Sequence, residues 1–161
     1  MLGSDKMRRK DREINDFLEI FDILNRCDTV RIGIPGTDYP YIVPVSFGAE
    51  IVENKAVIYF HSAKDGMKLD LLKHNPNVCV EGDIFIKCEP IKHGITARYE
   101  SVIGFGTCEE VKDKNEIIHG LRLLTDHYGY TDFSIDDCED LTRVFVGKIV
   151  LERITGKRNI S

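Results

Sequence analysis

The sequence predicts a small antiparallel β-barrel of the α+β class, with two helices lying outside the sheet. Most of its apolar residues fall in runs of strand length, bounded by turns rich in Gly, Pro, Asn and Asp. Two stretches, Ile14 to Leu24 and Asp113 to Tyr128, instead carry apolar residues at helical spacing. A late run, Arg143 to Ile154, is apolar on both faces. In a chain of 161 residues, a strand covered on both sides implies either a barrel interior beneath an outer helix or a subunit interface.

With 42% hydrophobic residues the chain can bury one sizeable core, and a single domain is expected over residues 13–158. Met1 to Lys6 carry no folding pattern and precede an internal Met7, so residues 1–12 are expected to be a disordered leader or cloning remnant. The basic run Arg8, Arg9, Lys10 and Arg12 is short and soon followed by acidic residues, so it reads as a solvated approach to a helix. The formal net charge of −5 argues against nucleic acid as a partner. No apolar run reaches the ~20 residues of a membrane-spanning helix, and the N-terminus lacks the apolar segment of a signal peptide. A cytoplasmic protein is expected. Cys27, Cys79, Cys88, Cys108 and Cys138 are odd in number and widely spread, which suits free thiols and no structural metal.

Taken in order, Ile14, Phe17, Leu18, Phe21 and Leu24 form one helical stripe that should lie against a sheet. Thr29 to Ile34 alternates, with Val30, Ile32 and Ile34 on one side, and Pro35-Gly36-Thr37-Asp38 turns the chain into a second strand, Tyr41 to Phe47. Pro44 cannot donate to a ladder, so that strand must lie at an edge or bulge, where its backbone could face a ligand or simply close the sheet. Glu53-Asn54-Lys55 is a turn, Ala56 to His61 a strand, and Asp65 to His74 a short helix stopped by Asn75-Pro76. Asn77 to Lys87 gives one or two strands, and Cys88 to Ala97 reads as irregular and polar. Tyr99 to Val111 is a long apolar strand interrupted by Gly104 and Gly106, a pattern that bends or bulges. The second outer helix places Ile117, Leu121, Leu124 and Tyr128 on one stripe, with His119 and His127 as surface or packing residues. Tyr130 to Asp140 is a loop, Arg143 to Ile154 the doubly apolar strand, and Thr155 to Arg158 a polar tail.

The junction between strand and short helix concentrates donors: His61, Ser62, Lys64, Gly66 and Lys68. A hydroxyl, ammonium groups and the free N–H groups of a helix start together suit a dianion such as a cofactor phosphate. The same residues also suit a plain helix start, with Ser62 or Asp65 as cap and the lysines solvated.

Several ordered segments carry a resemblance. They are Pro40-Tyr41-Ile42-Val43-Pro44-Val45-Ser46-Phe47, Ile58-Tyr59-Phe60-His61-Ser62-Ala63-Lys64-Asp65-Gly66-Met67-Lys68, and His74-Asn75-Pro76-Asn77-Val78. Tyr99-Glu100-Ser101-Val102-Ile103-Gly104-Phe105-Gly106 and Ile154-Thr155-Gly156-Lys157 follow in the same order. On these pieces the chain resembles the pyridoxamine 5′-phosphate oxidase-like, FMN-binding split-barrel proteins, and among them the branch related to nitroimidazole-resistance proteins.

The resemblance implies a split barrel and a homodimer with FMN in a groove between the subunits. Ser62 and Lys68 would hold the phosphate, with His61 and Lys64 close by. Val43, Pro44, Val45, Ser46 and Phe47 would pass along the isoalloxazine ring. Ser101, Val102 and Ile103 would contribute from the long strand, and Ile154 and Lys157 would complete the site, from the same or the other subunit. It further implies a reductase passing electrons from a reduced nicotinamide, NAD(P)H, through FMN to a small acceptor such as a nitroaromatic. His61 would hydrogen-bond that acceptor or supply a proton. No glycine-rich dinucleotide fingerprint is present, so the nicotinamide would bind transiently on the flavin. Arg153, Lys157 and Arg158 do not reproduce the arginine-rich substrate site of the B6 oxidases, and there is no tryptophan, so vitamin B6 oxidation is not expected. Two alternatives remain beside the reductase. One is a non-catalytic flavin-binding or storage protein, and the other a haem-binding split barrel using His61, His74 or His93.

Overall fold

The computed structural model describes residues 7–135 and 141–161. Its strands are β1 (Glu13–Ile14), β2 (Val30–Ile34), β3 (Tyr41–Val45), β4 (Gly48–Val52), β5 (Lys55–Ala63), β6 (Asn77–Ile91), β7 (Gly94–Glu110) and β8 (Val144–Asn159). Its helices are α1 (Phe17–Arg26), α2 (Met67–His74) and α3 (Lys114–His127). All pairings are antiparallel, in the order β3-β2-β6-β7-β8-β5-β4, with β1 added on β8. The sheet curls into a split barrel. Its two edges, β3 and β4, are joined by only Ser46 and Phe47. Pro44 therefore lies on an edge strand, as its missing N–H requires.

The barrel interior is filled by Ile32, Phe47, Ile58, Phe60, Val80, Val102 and Ile149 among others, with α1 closing one side through Ile20, Ile23 and Leu24. Asp16 caps α1 by accepting from Glu19 N–H at 2.9 Å, and Asp113 caps α3 through Glu116 N–H at the same distance. A second cluster, Val57, Tyr59, Val111 and Val146, meets Ile117 and Leu121 of α3. β5 and the first half of β8 are thus covered on both faces, by the core and by an outer helix, which accounts for the doubly apolar run. Gly48 lets α3 approach, since a Cβ there would stand 2.4 Å from the Leu123 carbonyl carbon. At Gly106 a Cβ would stand 2.0 Å from the Val150 oxygen, and the ladder shifts register between Phe105 and Gly106.

Several expectations need correction. Ile14 belongs to β1, and Leu18 is 65% exposed, so the helical stripe is narrower than the spacing implied. Gly48–Val52, to which the sequence assigned no element, is a strand. Cys88 to Ala97 is not irregular: β6 and β7 run through it as a hairpin turned at Lys92-His93 and Gly94 (φ 148°). Its solvated faces, bridged by Glu89 to Lys87 and Arg98, hid the strand period behind polar residues. The polar tail continues β8 to Asn159, where pairing with Tyr99 on β7 overrides the lack of apolar residues. Of the expected leader, residues 1–6 lie outside the described residues, and Lys10–Arg12 form one turn of 3-10 helix. Cys138 and the end of the Tyr130 to Asp140 loop also lie outside them, while Cys27, Cys79, Cys88 and Cys108 are free thiols. Among the described residues no helix is long and apolar enough to cross a membrane, and no cluster of His, Cys, Asp or Glu is arranged to hold a metal ion.

Candidate functional site

The split in the barrel leaves a cavity of about 370 Å³ where β3 ends, beside β5 and α2. It is lined by Pro44, Val45, Ser46, His61 and Lys68, with Leu124 and Tyr128 reaching in from α3. The edge position of β3 opens one wall. β5 supplies His61 on the face that turns toward α3, one residue past the buried Phe60.

α2 begins in an unusual way. Its N-cap is Gly66 at φ 125°, a conformation that favours glycine, and no side chain caps the first turn. Ser62 Oγ donates to the Ala63 carbonyl at 3.0 Å, and Asp65 makes no cap bond. The helix start therefore keeps open N–H groups beside Lys68. Lys68 takes part in no ion pair among the described residues; its Nζ lies 5.4 Å from the centre of the Phe60 ring. Burial lowers the pKa of its ammonium. Burial also lowers the His61 pKa, and the neighbouring Lys68 charge adds to that shift.

The remaining expected residues divide. Val43 packs partly against the core, and Phe47 is fully buried. The Phe47 ring lies 4.4 Å from that of His127, and its N–H donates to Tyr128 Oη at 3.4 Å. Tyr128 Oη in turn donates to the Asp28 carbonyl at 2.6 Å, and His127 Nε2 donates to that of Cys27 at 3.0 Å, so the end of α3 ties the β3–β4 link to the start of β2. Ser62 points to the other face of β5 from His61. Lys64 lines a separate recess of about 280 Å³ with Lys73, Cys108 and Glu109. The thiol of Cys108 is pushed up to about 12, chiefly by burial.

Ser101, Val102, Ile103, Ile154 and Lys157 form a second group on β7 and β8, where Ser101 pairs with Lys157 and Ile103 with Thr155. Val102 is buried and Ile154 packs on the core, while Ser101, Ile103 and Lys157 share the outward face. Val146, the partner of His61, is eight residues from Ile154 along β8, a path of roughly 26 Å at ~3.3 Å per residue. One protomer does not bring the two groups together.

Sequence reasoning missed two features. Leu124 and Tyr128 were assigned to a packing stripe, and only the approach of α3 at Gly48 turns them toward the cavity. Glu100, 6% exposed, accepts from Arg26 Nη2 and from Arg158 Nε, each at 2.7 Å. Burial raises the Glu100 pKa, but the two guanidinium groups outweigh it and leave the carboxyl below its ordinary value. Arg26 is also bound to Asp22 and Arg158 to Glu19, so this network clamps α1 to β7 and β8.

Comparison with known proteins accords with this fold. Among solved structures, a candidate 5-nitroimidazole antibiotic resistance protein from Bacteroides thetaiotaomicron is 31% identical, with a TM-score of 0.80 over 90% of this chain and 85% of that one. A flavocytochrome from Azotobacter vinelandii shares the fold at 16% identity, with a TM-score of 0.78 over 98% of this chain and 75% of that one. An FAD-binding protein from Mesorhizobium loti does so at 20% identity, with a TM-score of 0.67 over 92% and 97%. No curated protein matches the chain. The family model described as pyridoxamine 5′-phosphate oxidase matches residues 16–158, nearly the whole described fold. The chain belongs to the pyridoxamine 5′-phosphate oxidase family.

Proposed function

We propose that the protein is an FMN-binding oxidoreductase that passes electrons from a reduced nicotinamide to a small acceptor. One observation carries the reading: α2 starts with no side-chain cap beside an ammonium group that forms no ion pair among the described residues, at the mouth of a cavity bounded by an exposed strand edge. A phosphate there would be met by the open N–H groups of the first turn and by Lys68. Pro44, Val45 and Ser46 offer an edge backbone along which a flat ring can lie. Bound FMN would supply hydride and electron transfer.

The second group of residues enters through a second copy of the chain. Ser101, Ile103 and Lys157 face outward, next to an open groove of about 860 Å³ that includes Ile34, Pro40, Ile42, Val78 and Phe105. Ile42 is 66% exposed, and Ile103 and Phe105 are also exposed. An apolar face of this kind is what a homodimer would cover. His61 can then present an N–H to an acceptor or hold a proton near it.

Vitamin B6 oxidation fits less well, because Arg158 is committed to Glu100 and Glu19 and Arg153 lies over Phe105. For haem, His61 is on β5, His74 ends α2 and His93 is in the β6–β7 turn, so they do not flank one site. The relatives named above as a flavocytochrome and an FAD-binding protein agree with a flavin in this fold.

The test is the visible spectrum of the purified protein, followed without oxygen by NAD(P)H and then a nitroimidazole. A flavin spectrum that bleaches with the donor and recovers with the acceptor is expected. A flavin indifferent to both would point to storage, and a Soret band would overturn the reading. His61→Ala with FMN retained and turnover unchanged would remove His61 from the chemistry.

A further inference from the structure

The cavity beside His61 meets a second recess on the α3 side, of about 250 Å³. The two share His61 and Leu124, so the imidazole stands in the wall between them. The first has Lys68 in its lining. In the second, Leu121, Leu124, Phe133, Ile135 and Val144 make up most of the wall, and the only polar groups among the described lining residues are His61 and Thr125.

We infer that this recess binds the electron acceptor and selects neutral ring compounds bearing an oxygen acceptor atom, a quinone carbonyl or nitro group, over anionic ones. The inference rests on the flavin reading of the neighbouring cavity. Its size corresponds to about eight waters at ~30 Å³ each, which suits one or two fused rings and is below the usual range for drug-sized ligands. Thr125 Oγ1 already donates to the Arg122 carbonyl at 2.9 Å, so it can only accept from a ligand. Burial and then the Lys68 charge lower the His61 pKa and so favour the neutral imidazole, which has one N–H to give. The recess therefore offers one donor, matched to one ligand oxygen, within apolar walls. A sulfonate or phosphate would meet no cation among the described lining residues to offset the hydration it gives up against these apolar walls. Anions are drawn to Lys68 and neutral rings to the far side of His61, so one histidine divides cofactor from acceptor.

Ligand-observed NMR of the whole chain tests this, using naphthoquinone and naphthoquinone sulfonate as probes, with and without FMN. Naphthoquinone should bind at least roughly tenfold more tightly than the sulfonate, and Leu121→Phe, which fills the recess, should weaken it by about the same factor while leaving FMN affinity unchanged. Phe133→Arg, at an exposed position that tolerates charge, should narrow or reverse the preference. Equal binding of the two probes, or indifference to both substitutions, overturns the inference. FMN titration is read separately by flavin fluorescence. A chain that binds naphthoquinone in the expected pattern but takes up no FMN sinks the flavin reading and leaves the recess standing. One that binds FMN but no naphthoquinone sinks the recess alone.

Discussion

Lys68→Met should weaken FMN binding by roughly 10- to 150-fold and leave the fold intact. The side chain runs beside the Phe60 ring and ends in an ammonium group that forms no ion pair among the described residues. Methionine keeps that apolar stem and removes only the charge. A hydrogen bond to a charged group contributes about 1.5–3 kcal/mol, and ~1.4 kcal/mol is a factor of ten, which gives the range above. Because burial already disfavours the Lys68 ammonium, its loss should not lower the melting temperature. Lys73→Met is the control on the same helix. Lys73 is five residues further on, ~7.5 Å along the axis, and faces Asp70 at 3.9 Å near solvent. At physiological salt its removal should change the affinity by less than about threefold. The assay is quenching of flavin fluorescence on titration of flavin-free protein, with circular dichroism to follow the fold. If Lys68→Met binds within threefold of the parent, or Lys73→Met loses as much, then α2 is a plain helix start.

Three further outcomes follow from the geometry. Phe47→Ala should cost about 3–5 kcal/mol, because the ring is fully buried between the barrel edges, and should lower the melting temperature by on the order of 10 °C; a shift under about 3 °C would mean that the link is not a keystone. Glu100→Ala should cost about 2–3 kcal/mol by leaving Arg26 and Arg158 without their shared acceptor, read by urea unfolding. In the parent protein the Glu100 contribution is present above the carboxyl's unfolded pKa, since its folded pKa is depressed, and is lost as pH falls through the folded value; stability of the parent and of Glu100→Ala should therefore converge in acid, and parallel curves would refute this. Ile42→Asp and Phe105→Asp should yield monomers by sedimentation that keep the melting temperature but lose FMN, because both side chains are exposed in one protomer; dimers that still hold FMN would place the interface elsewhere.

Much of the fold was legible because burial wrote it into periodicity. β2, β5 and the first half of β8 alternate or are doubly apolar because a core lies on one side and solvent or α3 on the other. Where both sides of a strand meet water, as in the β6–β7 hairpin beyond Phe85, the period disappears and pairing alone makes the strand; at the end of β8 the covered positions are Gly156 and Asn159, which carry no apolar side chain to show the period. The edge position of β3 was legible from one atom, the N–H that Pro44 lacks. The Glu100 network was not, because its members lie 58 and 74 residues apart and each is an ordinary charged residue in the sequence.

The site itself was half legible. His61 and Lys68 are seven residues apart and share a cavity, but Ser62 and Lys64, closer in sequence, do not join them. Strand alternation turns Ser62 to the opposite face from His61, and the chain between β5 and α2 carries Lys64 into a different recess. Nearness in sequence is thus a poor guide across a strand-to-helix junction. The same geometry separates His61 from Lys157 by most of the length of β8. In the proposed homodimer, the anion anchor at one end and the Ser101–Lys157 pair at the other, each on an open surface, would become one site only when two chains meet. In this reading FMN affinity, oligomeric state and the exposed Ile42–Phe105 face are coupled, and a substitution far from the flavin should release it as surely as one beneath its phosphate.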